Sequence, residues 1–386
     1  MHRTPRVAVI HYSRNGTVHA LARAAAAGAE ADGAQVRLLR VGGEHGTAPV
    51  HEDLLWADGM VLATPTYFGN IASPLKQFIE AASPLWREGA LADRVVTGIT
   101  TSNSPHGGRE TTLLALYQSM YHWGALILPA GTTDGAFTAA GGNPYGVAAP
   151  ADPDGVTDTV HQRAAQALGA RLSRACARMA RPPSGPLGPG GPSRVAVVCD
   201  PTEPGTRTLA SALAEGAEKA GAEVRLLHTG SPHGATPADV EWADAVALGG
   251  PAFLGGLSPL LTRFLADCEP LRASGKLDGK AATGFVTAPQ PHSGSESALL
   301  ALYHAMHHWG AVIVPPGYTD PSITIAGGNP YGISHTTAHG PLPGRDVLAA
   351  AVFQGARLAR VTARLRGPHH PDPVVRREPA RPPAVR

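Results

Sequence analysis

The sequence predicts two tandem α/β domains, each a doubly wound five-stranded parallel sheet with helices on both faces, and three observations carry that expectation. At 386 residues the chain is long enough to bury two cores. It repeats itself at the spacing of a whole domain. Within each repeat, short apolar strands alternate with Ala-rich helices.

The repeat is read from motifs. Gly-Gly-Asn-Pro-Tyr-Gly at Gly141–Gly146 returns at Gly327–Gly332, an offset of 186 residues that also relates His122-Trp123-Gly124 to His308-Trp309-Gly310 and Trp56 to Trp242. Arg6-Val7-Ala8-Val9 returns at Arg194-Val195-Ala196-Val197, 188 residues on. Solenoid units are far shorter, so this is the period of a duplicated domain. The expected boundaries are 1–180 for the first domain and 194–367 for the second. Between them, 181–193 is a linker in which prolines and glycines prevent regular structure, and 368–386 is a Pro- and Arg-rich disordered tail.

In the first half, Val7–Tyr12, Gln35–Val41, Gly59–Ala63, Val95–Thr101 and Ala125–Pro129 read as strands. Val18–Ala31, Lys76–Ala82, Glu110–Trp123 and Thr157–Met179 read as helices. Strands apolar on both faces imply a parallel sheet covered on both sides, whose ligands sit in the loops at the carboxyl ends of the strands.

Composition narrows the function classes. With 16% charged residues and a formal net charge of +2, the chain has no electrostatic footprint for nucleic acid or an anionic membrane, and a small, roughly neutral partner is expected. Cys176, Cys199 and Cys268 are widely spaced with no CxxC, which favours small core residues over a disulfide framework or a metal site. No signal-like segment precedes Arg6 and no 18-residue apolar run occurs, so the protein is expected in the cytoplasm.

Three loops carry candidate chemistry. Ser13, Arg14, Asn15, Gly16, Thr17 and Val18 follow the first strand and open the first helix, where hydroxyls and free amides suit a phosphate monoester and Gly16 lets the backbone approach it. A Ser/Asn-capped helix start explains the same residues equally well. Thr64, Pro65, Thr66, Tyr67, Phe68, Gly69 and Asn70 follow the third strand, and their polar, aromatic and glycine mixture suits the edge of a flat heterocycle. Thr101, Ser102, Asn103, Ser104, Pro105, His106 and Gly107 follow the fourth, again rich in hydroxyls and backbone donors. Any one is an ordinary surface loop on its own; three at consecutive strand ends are not.

At these residues the sequence resembles the flavodoxin-like NAD(P)H:quinone oxidoreductases named after the tryptophan-repressor-binding protein. The resemblance rests on Tyr12-Ser13 with Gly16, Thr64-Pro65-Thr66 with Phe68-Gly69-Asn70, Leu85-Trp86 with Gly89-Ala90-Leu91, Gly107-Gly108 with Glu110-Thr111, His122 with Gly124, and Gly141-Gly142 with Pro144-Tyr145-Gly146. It implies that Ser13–Val18 hold the phosphate of FMN, that Thr66–Phe68 border the isoalloxazine, and that Thr101–Gly107 line its pyrimidine side. It also implies His122 near the flavin, Trp86 as a wall of the quinone pocket, NAD(P)H as reductant, and catalytic roles for His122, Trp86 and Tyr67. The family's enzymes are tetramers of single domains, so a homodimer of this chain would reproduce four domains.

Two departures bear on substrate choice. Asn15 stands where the family usually has an aromatic residue that helps seat the nicotinamide, and Tyr67 where it usually has arginine. The segment Val41–Glu52 is also shorter than the family's tetramer-building counterpart. The second half departs further. Its first loop, Cys199-Asp200-Pro201-Thr202-Glu203-Pro204-Gly205-Thr206, presents two carboxylates to any phosphate, and Arg272 replaces the counterpart of Trp86. A second domain that keeps the fold without the flavin is expected.

Three function classes compete. An FMN enzyme passing electrons from NAD(P)H to a quinone or related aromatic acceptor fits the loops best, and a tailoring reductase of aromatic metabolites fits equally. A one-electron carrier is disfavoured by a pI near 8.5, since such flavodoxins are usually strongly acidic. A non-catalytic scaffold is disfavoured by the retained loops.

Overall fold

The computed structural model describes residues 3–42, 50–155, 157–180, 191–231 and 233–366. Residues 43–49 of the shortened segment after the second strand, 181–190 of the expected linker and the expected tail at 368–386 lie outside them.

The first half begins with β1 (Arg6–His11), α1 (Thr17–Ala31), β2 (Gln35–Arg40), α2 (His51–Trp56) and β3 (Gly59–Tyr67). It continues through β4 (Asn70–Ile71), α3 (Ser73–Ala81), α4 (Ser83–Arg87), β5 (Val95–Ser102) and α5 (Arg109–His122). It ends with β6 (Leu126–Ile127), α6 (Gly135–Ala139), β7 (Val147–Pro150) and α7 (Thr159–Met179). The second half repeats this order. Its elements are β8 (Arg194–Cys199), α8 (Pro204–Lys219), β9 (Glu223–His228), α9 (Pro237–Trp242), β10 (Ala245–Pro251), α10 (Pro259–Asp267), α11 (Glu269–Ala273), β11 (Ala281–Ala288), α12 (Ser295–His308), β12 (Val312–Ile313), α13 (Pro321–Ile325), β13 (Ile333–Thr336) and α14 (Arg345–Leu365).

The strands run β2-β1-β3-β5-β6 in the first half and β9-β8-β10-β11-β12 in the second, a flavodoxin-like order in each. Both domains are α/β with parallel strands, as the sequence predicts. The fifth strand differs in detail. It is split, because β6 pairs with the start of β5 and β7 with its end, and the Gly-rich stretch between them loops out. The expected strand Gly59–Ala63 runs on to Tyr67, where a short antiparallel pairing with β4 prolongs it.

Alternate side chains of β1 enter opposite cores. Val7 and Val9 pack under α1 and α7, whereas Ala8 and Ile10 pack on the α3–α5 side. The helices α1 and α7 cross at contact distance because Gly28 and Gly169 face one another's partner backbones: a Cβ on either would fall about 2 Å from Gln166 or Ala25 carbonyl oxygen. Gly216 and Gly355 do the same for α8 and α14.

The two halves share one continuous sheet. At its centre Ile127 of β6 pairs antiparallel with Ile313 of β12, and these are equivalent positions of the repeat. Other contacts recur in the same reciprocal way. Arg357 donates to the carbonyls of Pro315 (3.0 Å) and Gly124 (2.8 Å), while Arg171, its equivalent, donates to Pro129 (3.1 Å) and Gly310 (3.0 Å). Position 121 meets its own counterpart, with the Tyr121 hydroxyl 3.2 Å from His307 Nε2. Such self-complementary pairing is what a two-fold interface between like subunits produces, here within one chain. One consequence governs everything below: because β6 and β12 are antiparallel, the carboxyl ends of the two sets of strands open on opposite edges of the sheet.

Candidate active site

A cavity of about 620 Å³ opens at the carboxyl edge of the first half, within the range of cofactor pockets. From the loop after β1, Arg14 and Asn15 line it; from the carboxyl end of β3, Pro65, Thr66 and Tyr67. The end of β5 supplies Thr101 and Ser102 and the loop after it Asn103, Ser104 and Gly107, while the segment after β7 adds Ala151 and Pro153. Among the described residues Arg14 is the one charged side chain on its wall, and no carboxylate lines it.

The first loop is built to receive an anion. Gly16 closes it in the left-handed region (φ 98°), and among the described residues no side chain caps α1, which leaves its first-turn amides available to a ligand. Ser13 is buried; its Oγ accepts from the Gly16 amide at 3.1 Å, and Arg40 donates to its carbonyl at 3.0 Å. Asn15 Nδ2 donates to the Asp152 carbonyl at 2.7 Å. In the second and third loops, Thr66 Oγ1 sits 3.0 Å from the hydroxyls of both Thr100 and Thr112, and Ser102 Oγ donates to the Ser104 carbonyl at 2.6 Å while accepting from Arg109 Nε at 2.8 Å. The Tyr12 phenol is held above its usual range, first by burial and then by its neighbour Tyr67, with which it hydrogen-bonds.

The remaining expected residues stand elsewhere. Thr17 is buried with its hydroxyl and the backbone of Asp152 bonded both ways at 3.0 Å, and Val18 is in the core. Thr64 accepts from the Ala72 amide (3.0 Å) and donates to the Pro65 carbonyl (3.0 Å). Phe68 is fully exposed at a positive φ of 53°, Gly69 follows at 76°, and Pro105 and His106 form the exposed tip of the third loop. Asn70 Oδ1 accepts from the Ile71 amide, and this residue lines a different cavity.

That second cavity, of about 430 Å³, also contains Trp86 and His122. Both lie at the amino edge of the first half, because α5 runs antiparallel to the strands and ends beside Asp93, just ahead of β5; the Asp93 amide donates to the Gly124 carbonyl at 3.2 Å. Trp86 Nε1 donates to the His122 carbonyl at 2.9 Å. Their other neighbours come from the second half: Tyr318 packs edge-on to Trp86 at 5.6 Å, and the Tyr331 hydroxyl is 3.3 Å from His122 Nε2. Burial pushes the His122 imidazole below its usual range; Glu296 opposes that shift and Lys76 adds to it. Within one chain, then, the three loops come together and His122 and Trp86 do not join them.

The reciprocal arrangement brings second-half residues to the first half's carboxyl edge. Tyr145 packs against His304, His307 and His308, and Arg272 donates to Thr132 Oγ1 at 2.6 Å. The sequence singles out Tyr145, His308 and Arg272 without placing them at this edge, and sequence reasoning passed over His304, His307, Arg40, Arg109 and Asp152. The Asp152-Pro153-Asp154-Gly155 run is a turn signal that marks a further loop at the same edge; the others required the spatial relation of the halves.

In the second half, the Asp200 carboxylate is buried and accepts from the Thr202 amide at 2.9 Å and from its hydroxyl, while Thr206 and Thr287 hydroxyls pair at 2.8 Å. The Thr202 amide and these hydroxyls are thus bonded within the second half. Among the described residues no group of three or more His, Cys, Asp or Glu is placed to hold a metal, and no helix is long and apolar enough to cross a membrane. Cys176, Cys199 and Cys268 are free and buried.

A family profile described as NADPH-dependent FMN reductase matches residues 5–136. An NAD(P)H dehydrogenase (quinone) of Deinococcus radiodurans is 36% identical over 170 residues, covering 38% of this chain and 84% of that protein. The chain belongs to the NAD(P)H dehydrogenase (quinone) family. A second member, from Caulobacter vibrioides, is 37% identical over 170 residues, with 39% of this chain and 85% of the relative covered. A solved flavodoxin, WrbA-like protein of Agrobacterium tumefaciens is similar at 24% identity and a TM-score of 0.36, over 45% of this chain and 98% of that one. As a member of the NAD(P)H dehydrogenase (quinone) family, the chain carries all three cavity loops inside the profile match at 5–136.

Proposed function

We propose that the first half binds FMN and that the chain is an NAD(P)H:quinone oxidoreductase. The observation that carries this reading is the 620 Å³ cavity, with its free helix amides, its hydroxyls, one arginine and no carboxylate, in a chain of this family. These residues fit the cofactor. The α1 amides with Ser13 and Arg14 take the phosphate, Thr66 and Tyr67 border the ring, and Thr101–Gly107 offer backbone donors to its polar edge. When bound, FMN supplies the redox chemistry, accepting hydride from NAD(P)H and delivering two electrons to a quinone or related aromatic acceptor.

The purified protein is expected to show a flavin spectrum and to oxidise NADH or NADPH with benzoquinone as acceptor. Both substrates use the same face of the ring in turn, so double-reciprocal plots should be parallel. Intersecting lines would mean that both bind at once, and absence of turnover with either nicotinamide would favour an electron carrier.

The second half, with Asp200 and Glu203 in its first loop, is read as flavin-free. Tyr67 is assigned to the first half's own flavin. His122 and Trp86 reach a flavin only across an interface between chains, which favours a homodimer with four domains in a pseudo-tetramer. The exposed apolar tips at Phe68 and Leu254, equivalent positions of the repeat at 107% and 94% exposure, support such an association. Light scattering should give a mass near twice 39.7 kDa; a monomer that turns over at full rate would remove His122 and Trp86 from the mechanism.

A further inference from the structure

An imidazole pair lies directly behind the phosphate loop and takes no part in the cavity wall. His11 is the last residue of β1 and is 1% exposed. Its Nε2 is 2.9 Å from Nδ1 of His19, the third residue of α1, with ring centroids 4.9 Å apart. The two therefore join the strand that enters the loop to the helix that leaves it. Burial, with His19 and Arg40 acting in the same sense, pushes His11 down to about 4, and burial with Arg23 and Arg40 lowers His19. A single N–H···N bond joins the rings, one nitrogen donating and the other, unprotonated, accepting.

The loop they flank is also tied by Asn15 and Thr17 to the backbone of Asp152, but those bonds run to the segment after β7 and not between β1 and α1. Ser13 Oγ bonds only within the loop, to Gly16, and Arg40 reaches the Ser13 carbonyl from β2. The second half provides an internal contrast. By the 188-residue offset that relates β1 to β8 and Gly28 to Gly216, His11 and His19 correspond to Cys199 and Arg207. There Arg207 turns to the Pro201 carbonyl, and the loop carries Asp200 and Glu203. The imidazole pair thus accompanies the loop that can take a phosphate and is missing from the one that cannot.

We propose that His11 and His19 are positioning residues for the flavin phosphate: by tying the end of β1 to the first turn of α1, they hold Ser13 and the α1 amides at the spacing that selects FMN over riboflavin. This rests on the FMN reading above. The chemistry predicts a loss confined to the phosphate end of the cofactor.

The test uses the full chain freed of flavin, titrated with FMN and with riboflavin by flavin fluorescence. His19→Ala breaks the bond without emptying the core, since His19 is only half-buried. Losing one hydrogen bond that orders the loop should raise the FMN Kd about tenfold and leave the riboflavin Kd within about twofold. His19→Asn, whose amide occupies the place of Nδ1, should restore the preference. An equal rise in both Kd values would reduce the pair to a structural role, and no change in either would also overturn the proposal. Failure of the unaltered chain to bind FMN would instead sink the cofactor reading, a result distinguishable because it needs no variant.

Discussion

Replacing Ser13 by Asp is expected to leave the chain without flavin, whereas the unaltered chain should carry one FMN per 386 residues. Ser13 is buried at the base of the loop with its Oγ 3.1 Å from the Gly16 amide. A carboxylate there would lie roughly 4 Å from the phosphate, and at an effective dielectric near 20 each pair of unit charges at that distance repels by about 4 kcal/mol. Since 1.4 kcal/mol is a factor of about ten, affinity should fall by at least about a thousandfold. The second half carries a carboxylate in the same loop, one residue before the equivalent position Pro201, with Asp200 buried against Thr202. Flavin released by denaturation and measured against protein decides both points. Two equivalents would show that the second half is not empty, and unchanged flavin in the Ser13→Asp variant would mean that the phosphate sits elsewhere.

The second large effect concerns the seam between the halves. Arg357→Ala should destabilise the chain by about 3 kcal/mol, at the lower end of the cost of breaking a buried ion pair because Asp93 is 38% exposed. Arg357 is itself 5% exposed, pairs with Asp93 at 2.6 Å and donates to the carbonyls of Gly124 and Pro315. Removing it takes a donor from the Pro315 and Gly124 carbonyls and the ion-pair partner from Asp93 at the seam where β6 meets β12, although Gly124 keeps its bond from the Asp93 amide. The equivalent Arg171, whose Asp278 partner is 22% exposed and whose own side chain is 16% exposed, should cost less when truncated because water can replace part of what is lost. Denaturant unfolding of the two variants checks the order. If Arg357→Ala unfolds at the same midpoint as the unaltered chain, the seam contributes nothing to stability and the halves are independent.

Much of the architecture was legible because it follows from local rules. β1, α1, β2, β5 and α7 fall within a few residues of the expected bounds, since apolar runs, Ala-rich stretches and Gly turns act over short distances. The three cavity loops were legible for the same reason: each directly follows a strand, and strands of a parallel sheet open their carboxyl ends on one edge. Less legible were α2, α4 and the split fifth strand. Helices of five or six residues leave too short a periodicity to read, and β7 is displaced from β6 by an irregular stretch whose pairing with Ile99–Ser102 is a long-range event.

By itself the sequence determined that two α/β units share a repeated set of motifs, that the first has loops suited to a phosphate-bearing flat cofactor, and that the second has carboxylates in its first loop. It could not determine which residues face which loop across the seam. His122 and Trp86 read as neighbours of the first half's flavin because they lie in the same repeat. The antiparallel join of Ile127 and Ile313 turns the two sheets end for end, so these side chains meet Tyr318 and Tyr331 of the other half, and Tyr145 meets His308. Periodicity is a property of a segment and survives in the sequence. The relative direction of two sheets depends on how two finished surfaces fit together, so it appears only in the folded chain.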